Sequence, residues 1–377
     1  MNTAFILKLA DPSAILENVG GKGMSLAKMI QAGFPVPDGF HITTEAYRQF
    51  IAANELQTKI ITALKDVDPA VPSTLEAASA TISGFFAESK LPTDISAEIT
   101  KTYSTLNRQS KIGNPNSVAV RSSATAEDLP EASFAGQQET FLNICGEEAL
   151  LDAVKKCWAS LWTARAIAYR LKNNIDQDTV ALAVVVQEMV DAEAAGILFT
   201  ANPINGRRDE IVINAAWGLG EAIVGGLVSP DTIVADTSTG KVKTYDVAEK
   251  TVITVRTEKG TREDPLQDAR SKSRVMTEAQ VSELMSIARR IESYYGKPQD
   301  IEWCRTDGKF FIVQSRPITT LRELEVPAPA SWKLPTMAAR LNSWSAACRR
   351  TSTTMPSFPT SACPICRDST SCSSSRK

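Results

Sequence analysis

The 377-residue sequence lacks several features that would assign a protein to a special class. No apolar run approaches the roughly 18–20 residues that a membrane-spanning helix requires, and the first residues lack the basic start and long apolar stretch of a signal peptide. The net charge is −2, so no global basic field favours nucleic acid. We therefore expect a cytoplasmic protein with neither a membrane nor a nucleic-acid partner.

Cysteine and histidine are also scarce over most of the chain. Only Cys145, Cys157 and Cys304 precede residue 331, and their wide spacing predicts reduced, structural thiols rather than a disulfide framework. His41 is the only histidine, at the start of a short apolar segment, and we interpret it as an ordinary structural residue.

The remaining composition is that of an ordinary globular protein, with 43% hydrophobic and 22% charged residues. A chain of this length can bury a sizeable core and can hold two or three domains. Strand and helix patterns alternate along it, which predicts a mixed α/β or α+β architecture in two lobes.

Local patterns predict individual elements. A continuous β-branched run at 180–186 predicts a strand buried on both faces. Residues 147–172 carry apolar side chains along one side and predict a single long helix, and residues 241–257 predict a hairpin. Thr277 starts a capping box that opens a further helix, which Gly296 closes.

The segment 117–141 is the most informative part of the chain. It begins as a strand that ends on a cation, Arg121, and continues into a polar run with many hydroxyls and a glycine, Gly136. A cation at a strand end, hydroxyls and a glycine suit a loop whose backbone amides approach an anion such as phosphate. A solvated loop beside an ordinary surface arginine is the alternative.

A second cation, Lys22, lies in the glycine-flanked run Gly20–Gly23, just before a helix predicted at 24–32. This arrangement offers amides and an ammonium group to a phosphate. The spacing of a P-loop is absent, and a plain flexible turn is the alternative.

Two short runs could complete such a site. Gln187, Glu188 and Met189 follow the buried strand, and a strand end that opens into a hinge can present backbone groups to an adenine edge. An ordinary strand exit is the alternative. The run WGLGE at 217–221 predicts a tight turn that opens a helix, although its glycines could serve packing alone.

Acidic residues gather near residue 300. Asp300 and Glu302 lie two apart on a predicted strand, so their carboxylates point the same way, and Gln314 lies on the next strand. If residues 306–308 form a three-residue loop, Asp300 lies opposite Gln314 and Glu302 is its diagonal neighbour; a two-residue turn would send Gln314 to the other face. Two carboxylates and an amide oxygen suit Mg²⁺ bridging phosphates. The solvated edge of a surface hairpin is the alternative.

These motifs occur in the order found in one family. From about residue 16 to about residue 320 the sequence resembles the nucleotide-binding domain of phosphoenolpyruvate synthases, pyruvate phosphate dikinases and rifampin phosphotransferases. The matching motifs include GGKGMSLAKMIQAGFPVPDGF, the 117–141 segment, WGLGE and the pattern DxE…QxRP. The resemblance implies an α+β, ATP-grasp-like fold with ATP between two lobes.

The resemblance also implies roles for individual residues. The implied phosphate-binding cations are Lys22, Arg121 and Arg316. The implied Mg²⁺ ligands are Glu302 and Gln314, with Asp300 near them. Gly136 and Thr140 match a loop that closes over the nucleotide, and the implied adenine, ribose and nucleotide contacts are Gln187, Glu188, Met189 and Glu221.

We expect three regions. Residues 1–115 form a mainly helical part of the nucleotide-binding domain, and residues 116–325 form the ATP-grasp-like lobes. Residues 326–377 form a Ser-rich tail without an aliphatic pattern, which departs from the family and is predicted to be disordered, as an out-of-frame or truncated end. A zinc site from Cys348, Cys363, Cys366 and Cys372 is the alternative, but it has a single CxxC and no histidine.

The resulting hypothesis is an ATP-binding domain of a dikinase-type phosphotransferase, which passes the β-phosphoryl group of ATP to a histidine on a missing or separate domain. His41 does not lie in the Thr/Gly-rich motif that carries such a histidine in the family. We favour a phosphoenolpyruvate synthase (pyruvate, water dikinase). An antibiotic phosphotransferase of the rifampin type and a non-catalytic ATP-binding module are the alternatives.

Overall fold

The computed structural model describes residues 4–109, 117–125, 128–129, 132–133, 139–258, 260–319 and 321. They combine helices and strands, as the sequence predicts. The helices are α1 (Leu16–Gln31), α2 (Thr44–Ala53), α3 (Leu56–Leu64), α4 (Pro72–Glu88), α5 (Thr93–Gln109), α6 (Glu147–Ser160), α7 (Ala164–Lys172), α8 (Glu221–Val224) and α9 (Glu278–Tyr295). The strands are β1 (Ile6–Lys8), β2 (Gly39–Ile42), β3 (Ser117–Ala124), β4 (Asp128–Leu129), β5 (Ala132–Ser133), β6 (Thr140–Cys145), β7 (Leu182–Glu188), β8 (Ala194–Phe199), β9 (Glu210–Trp217), β10 (Asp231–Asp236), β11 (Val242–Asp246), β12 (Val252–Arg256), β13 (Thr261–Pro265), β14 (Gln299–Thr306) and β15 (Lys309–Pro317).

A five-stranded antiparallel sheet, which we call the first sheet, has the order β1-β2-β7-β3-β6. All seven residues of β7 are buried, which confirms the prediction of a strand covered on both faces, although the strand starts and ends two residues later than predicted. β1 and β2 precede residue 115 but lie in this sheet with β3 and β7. The predicted boundary at 115 stays a prediction.

Helices α2 to α7 pack beside the first sheet around an aromatic core. The ring centroid of Trp158 lies 5.0 Å from that of Phe50 and 6.0 Å from that of Tyr47. The single helix predicted at 147–172 is wrong, because the chain forms α6 and α7 with a break between them. Thr163 caps α7, since its hydroxyl accepts a hydrogen bond from the amide of Ala166 at 3.3 Å.

A six-stranded antiparallel sheet, the second sheet, has the order β11-β10-β9-β8-β14-β15. Helix α9 packs against β14, and its Leu284 and Ile291 share a buried core with Trp303. The capping box of Thr277 and Gln280 is present, and Gly296 ends the helix with a φ of 67°. Both predictions for this helix are confirmed.

The hairpin predicted at 241–257 is wrong. β11 pairs with β10, whereas β12 pairs with β13 in a separate two-stranded sheet. The connection between β11 and β12 is held by Lys250, whose fully buried ammonium group donates to Asp231 and to the carbonyl of Ala248. This buried ion pair ties the connection to Asp231 on β10, and no local pattern reveals it.

The β12–β13 hairpin is hydrogen-bonded to a strand of the first sheet. The side-chain amide of Asn143 on β6 donates to the carbonyls of Thr257 and Gly260, both at 2.7 Å. The amide of Leu219 donates to the carbonyl of Thr254 at 3.0 Å. The hairpin therefore joins the strand β6 to the segment after β9.

Helix α1 contacts β3 and β7 of the first sheet and β15 of the second. It is longer than predicted and is kinked at Gly20, which has a φ of 70°. A Cβ atom at Gly20 would lie 2.2 Å from the carbonyl oxygen of Ser123, so this close approach requires glycine.

No helix in the described ranges is long and apolar enough to cross a membrane. The predicted tail at 326–377 and the predicted site residue Gly136 lie outside the described residues.

Candidate nucleotide-binding site

A cavity of about 550 Å³ is lined by residues of both sheets. Its volume lies in the range that suits a small-molecule ligand. The sequence-predicted site residues that line it are Lys22, Arg121, Thr140, Gln187, Glu188, Met189, Glu221, Glu302, Gln314 and Arg316. The structure thus brings together residues from five separate motifs.

One part of the cavity is apolar. We call its lining the apolar wall: Ala119, Leu142, Met189, Val190, Ala192, Ala195, Leu219, Cys304 and Val313. Burial raises the pKa of the Cys304 thiol to about 12, so this side chain lines the wall as a neutral group. Both sheets contribute small and aliphatic side chains to this wall, and such a surface suits a flat, largely apolar ring.

Sequence reasoning missed most of the apolar wall. A usable signal exists on two strands, because Ala119 lies two residues before Arg121 on β3 and Leu142 lies two residues after Thr140 on β6. Residues two apart on a strand share a face, so each predicted site residue has an apolar neighbour on its own face. Small aliphatic residues do not otherwise stand out in a sequence.

The predicted hinge residues lie at the end of β7. The amide of Glu188 donates to the carbonyl of Asp38 at 2.8 Å, and that of Met189 donates to the carbonyl of Ser117 at 3.0 Å. These two N–H groups are therefore satisfied by the protein itself, and Met189 contributes its apolar side chain to the wall.

The polar part of the cavity centres on Arg121 and Glu302. Arg121 Nη2 lies 2.8 Å from Glu302 Oε2, and Arg121 Nη1 donates to the carbonyl of Val313 at 2.7 Å. Arg121 lies on β3 of the first sheet, whereas Glu302 and Val313 lie on β14 and β15 of the second. One guanidinium group thus bridges the two sheets at the cavity.

The kink of α1 places Lys22 beside the same strand. Lys22 Nζ donates to the carbonyl of Ser122 at 3.4 Å. The hydroxyl of Ser123 donates to the carbonyl of Val19 at 2.7 Å and accepts from the amide of Gly23 at 3.0 Å. These bonds hold the glycine run against β3, next to Arg121.

The pairing of β14 with β15 differs from the prediction. Thr306 pairs with Lys309, so Asp307 and Gly308 form a two-residue turn in which both residues have positive φ. The predicted three-residue loop and the predicted pairing of Asp300 with Gln314 are wrong.

A β-bulge nevertheless directs Gln314 to the cavity. The register shifts by one residue between Glu302 and Trp303, because Val313 is an extra residue on β15. As a result Gln314 lies directly opposite Glu302. The expected convergence of these two side chains therefore arises from the bulge and not from the loop.

Asp300 lies opposite Arg316 and binds it. Its Oδ2 accepts from Nε and Nη2 of Arg316, both at 2.9 Å. Burial raises the pKa of Asp300, and Arg316 partly offsets that rise. Arg316 lines the cavity, so the carboxylate of Asp300 orients a cation of the site.

Two other predicted residues lie at the rim. Thr140 is exposed and pairs with Arg121 across β3 and β6. Glu221 is exposed and accepts a hydrogen bond from the hydroxyl of Thr261 at 2.8 Å. Gly136, which precedes Thr140 in the predicted loop, is outside the described residues.

His41 lies elsewhere. It is fully buried, its Nε2–H donates to the carbonyl of Leu9 at 3.2 Å, and burial lowers its pKa to about 4. It is not among the residues that line the cavity, which supports the structural role expected for it. Within the described ranges, no group of three or more His, Cys, Asp or Glu side chains could hold a metal ion.

Residues 16–332 match the protein family described as pyruvate phosphate dikinase, AMP/ATP-binding domain. The chain is similar to a probable phosphoenolpyruvate synthase of Methanothermobacter thermautotrophicus, with 47% identity over 81% of this chain and 44% of the relative. The phosphoenolpyruvate synthase of Pyrococcus furiosus is 42% identical over 81% of this chain and 42% of its own length. The rifampicin phosphotransferase of Streptomyces sviceus is 44% identical over 83% of this chain and 35% of its own length. The chain spans less than half the length of these relatives.

Proposed function

The chain belongs to the pyruvate phosphate dikinase AMP/ATP-binding domain family, and on that premise we propose that its cavity binds ATP with Mg²⁺. We further propose that the two sheets form the lobes of an ATP-grasp-like fold. The observation that carries the proposal is a single cavity in which an apolar wall continues into a polar end with Arg121 and Glu302 from opposite sheets.

Three cations are proposed to hold the phosphates. Lys22 and Arg316 line the cavity with Arg121, and they come from α1, β15 and β3. Phosphoryl transfer needs little from a protein beyond positioning and neutralisation of charge. Cations fixed on separate rigid elements fit that requirement, and Asp300 is proposed to position Arg316.

The oxygen donors at the polar end fit Mg²⁺. Glu302 and Gln314 lie directly opposite each other, and both line the cavity. Magnesium is commonly held by one or two protein groups together with substrate phosphates, so a site with few acidic ligands is compatible with it. When bound, Mg²⁺ would neutralise charge on the phosphate oxygens.

The base is proposed to lie in the apolar wall, against Met189, with Gln187 and Glu188 lining the cavity beside it. Thr140 and Glu221 at the rim are proposed to contact the rest of the nucleotide, and Gly136 is proposed to belong to the loop that covers it. These assignments agree with the depth of each residue, since Gln187 and Met189 are buried and Thr140 is exposed.

We propose that the β-phosphoryl group passes to a histidine on a separate domain and then to an acceptor. His41 is excluded from this role by its burial and its location. The relatives named phosphoenolpyruvate synthase favour pyruvate as the acceptor. The similarity to a relative named rifampicin phosphotransferase makes an antibiotic hydroxyl the second candidate.

Calorimetric titration of the chain with ATP in Mg²⁺ tests the proposal. We expect saturable binding with an affinity in the usual substrate range, about 1 µM–1 mM. Glu302→Ala is expected to abolish the dependence of binding on Mg²⁺. The absence of saturation at millimolar ATP would contradict the proposed function, and an unchanged Mg²⁺ dependence would remove Glu302 from the site.

A further inference from the structure

Two hydroxyl groups outside the cavity, those of Ser25 and Tyr295, join the elements that carry two of its cations. We propose that Ser25 and Tyr295 are positioning residues, which hold α1 against β15 and thereby set the separation of Lys22 from Arg316. The inference rests on the proposed function, because it takes Lys22 and Arg316 to bind the phosphates of ATP. It adds to that function the contact that keeps the two cations at a fixed separation.

The contact lies at an edge of the second sheet. β15 is the last strand of that sheet, and within the described residues no strand pairs with its outer side. An edge strand leaves backbone groups without a sheet partner. Side chains from other elements bind two carbonyls of this strand: Arg121 donates to Val313, and Ser25 Oγ donates to Ser315, both at 2.7 Å. Ser25 therefore anchors α1 to β15.

Tyr295, at the end of α9, holds Ser25 in this contact. Its hydroxyl lies 3.1 Å from Ser25 Oγ and 3.2 Å from the carbonyl oxygen of Ser25. Burial raises the pKa of Tyr295, so the hydroxyl remains protonated and acts as a donor at neutral pH. The three elements α1, α9 and β15 therefore meet at one pair of hydroxyl groups.

The residue that Ser25 binds is itself fixed within the second sheet. Ser315 Oγ donates to Oε1 of Gln299 at 2.9 Å, and both residues are buried. The amide of Gln299 in turn donates to Thr200 Oγ1 at 2.9 Å. Because Ser315 is held from its other side, the bond from Ser25 ties α1 to a fixed part of the sheet.

The two cations lie close to this contact along the chain. Lys22 and Ser25 are three residues apart on α1, so they are neighbours on the helix surface. Arg316 follows Ser315 directly on β15, and both cations line the cavity. The attraction between charges depends on their distance, so the placing of two cations determines how well they hold one chain of phosphates.

Loss of either hydroxyl group would free α1 at this contact, and bound ATP would have to restore the order that the hydrogen bond gave. The affinity for Mg·ATP is therefore expected to fall by the worth of about one hydrogen bond, about 2- to 12-fold, in Tyr295→Phe and in Ser25→Ala. Adenosine has no phosphate, so its affinity is expected to stay close to that of the unaltered chain. Calorimetric titration with the two ligands measures both affinities.

Tyr294→Phe is the matched control. It removes the same hydroxyl group from the preceding residue, which is 48% exposed and whose ring lies edge-on to that of Phe34. Tyr294 does not line the cavity, so both affinities are expected to be unchanged. A fall in Mg·ATP affinity as large as that of Tyr295→Phe would overturn the proposal.

The double variant of Ser25→Ala with Tyr295→Phe tests whether the two residues share one contact. Its loss of Mg·ATP affinity is expected to be smaller than the product of the two single losses, because both changes release the same element. A loss equal to that product would overturn the shared role.

Two further results would overturn the positioning role alone, provided that Mg·ATP still binds the unaltered chain. One is unchanged Mg·ATP affinity in both single variants. The other is an equal fall in the affinities for Mg·ATP and adenosine, which a general loss of structure would produce. Failure of the unaltered chain to bind Mg·ATP would instead overturn the proposed function, and the positioning role with it.

Discussion

His41 shows what burial does to a single titratable residue. Its Nε2–H donates to the carbonyl of Leu9, which leaves Nδ1 as the unprotonated nitrogen, and Nδ1 has no partner among the described residues. The ring also lies near the backbone of α1, because a Cβ atom at Gly23 would be 3.1 Å from Nδ1. Protonation would therefore put a charge into a site that water does not reach.

The lowered pKa of His41 predicts acid sensitivity of the fold. The folded pKa is about 4, below the ordinary value of 6.5, so the unfolded chain takes up the proton first as the pH falls. The contribution of the neutral ring is fully present above pH 6.5 and declines towards pH 4, by about 3 kcal/mol in total. Urea unfolding between pH 7.5 and 4.5 measures the decline.

The variant His41→Gln isolates this contribution from that of the carboxylates. Its free energy of unfolding is expected to fall less steeply than that of the unaltered chain between pH 6.5 and 5. Parallel pH profiles for the two proteins would show that His41 does not titrate on unfolding.

At the scale of elements, the kink of α1 depends on contact with a neighbouring strand. Gly20 has positive φ, and its Cα faces the carbonyl of Ser123 on β3. Gly33, at the end of the same helix, also has positive φ but has no atom within 4 Å of a Cβ position. Both glycines therefore have positive φ, but only Gly20 is in close contact with a neighbouring strand.

This contrast predicts different effects of alanine. Gly33→Ala is expected to destabilise the fold by roughly 1–2 kcal/mol through backbone strain alone. Gly20→Ala is expected to lose a further 1–3 kcal/mol or so because the methyl group collides with β3, and to weaken ATP binding because Lys22 lies two residues away. Urea unfolding of both variants measures the difference, and equal losses would contradict the close approach.

The elements that could be predicted from the sequence are those with local signals. The buried run of β7 and the capping box of α9 each depend on residues close together in the sequence, and both predictions are confirmed. The break before α7 also has a local signal in Thr163, but the apolar stripe on both sides hid it. The β15 bulge and the path around Lys250 depend on partners far along the chain, which periodicity does not reveal.

In the candidate site, too, the residues with a local sequence signal were predicted and the contacts between distant residues were not. The site residues were predicted because their motifs resemble those of a family, and ten of them, nine charged or polar and Met189, line one cavity. The direct bond between Arg121 and Glu302 was not predicted, because the two residues are 181 positions apart and only the assembled sheets bring them together. The small apolar residues of the wall carry no chemical signal in a sequence.

At the scale of the whole molecule, the cavity takes its lining from both sheets, so a ligand there contacts both. We expect Mg·ATP at 100 times its Kd to add about 2.7 kcal/mol to the free energy of unfolding. Hydrogen exchange is expected to slow in β3 of the first sheet and in β14 of the second together. Mg²⁺ without nucleotide is the control, and slowing confined to one sheet would contradict a shared cavity.

The β12–β13 hairpin limits how the molecule can open. The chain connects the first sheet to the second between β7 and β8, near the apolar wall. The hairpin makes a second link between the sheets, where the side-chain amide of Asn143 donates to the carbonyls of Thr257 and Gly260. Movement of β6 away from the hairpin must break those two hydrogen bonds, and movement of β3 away from β14 must break the bond between Arg121 and Glu302. A hinge-like separation of the two sheets would therefore cost hydrogen bonds at two separate places.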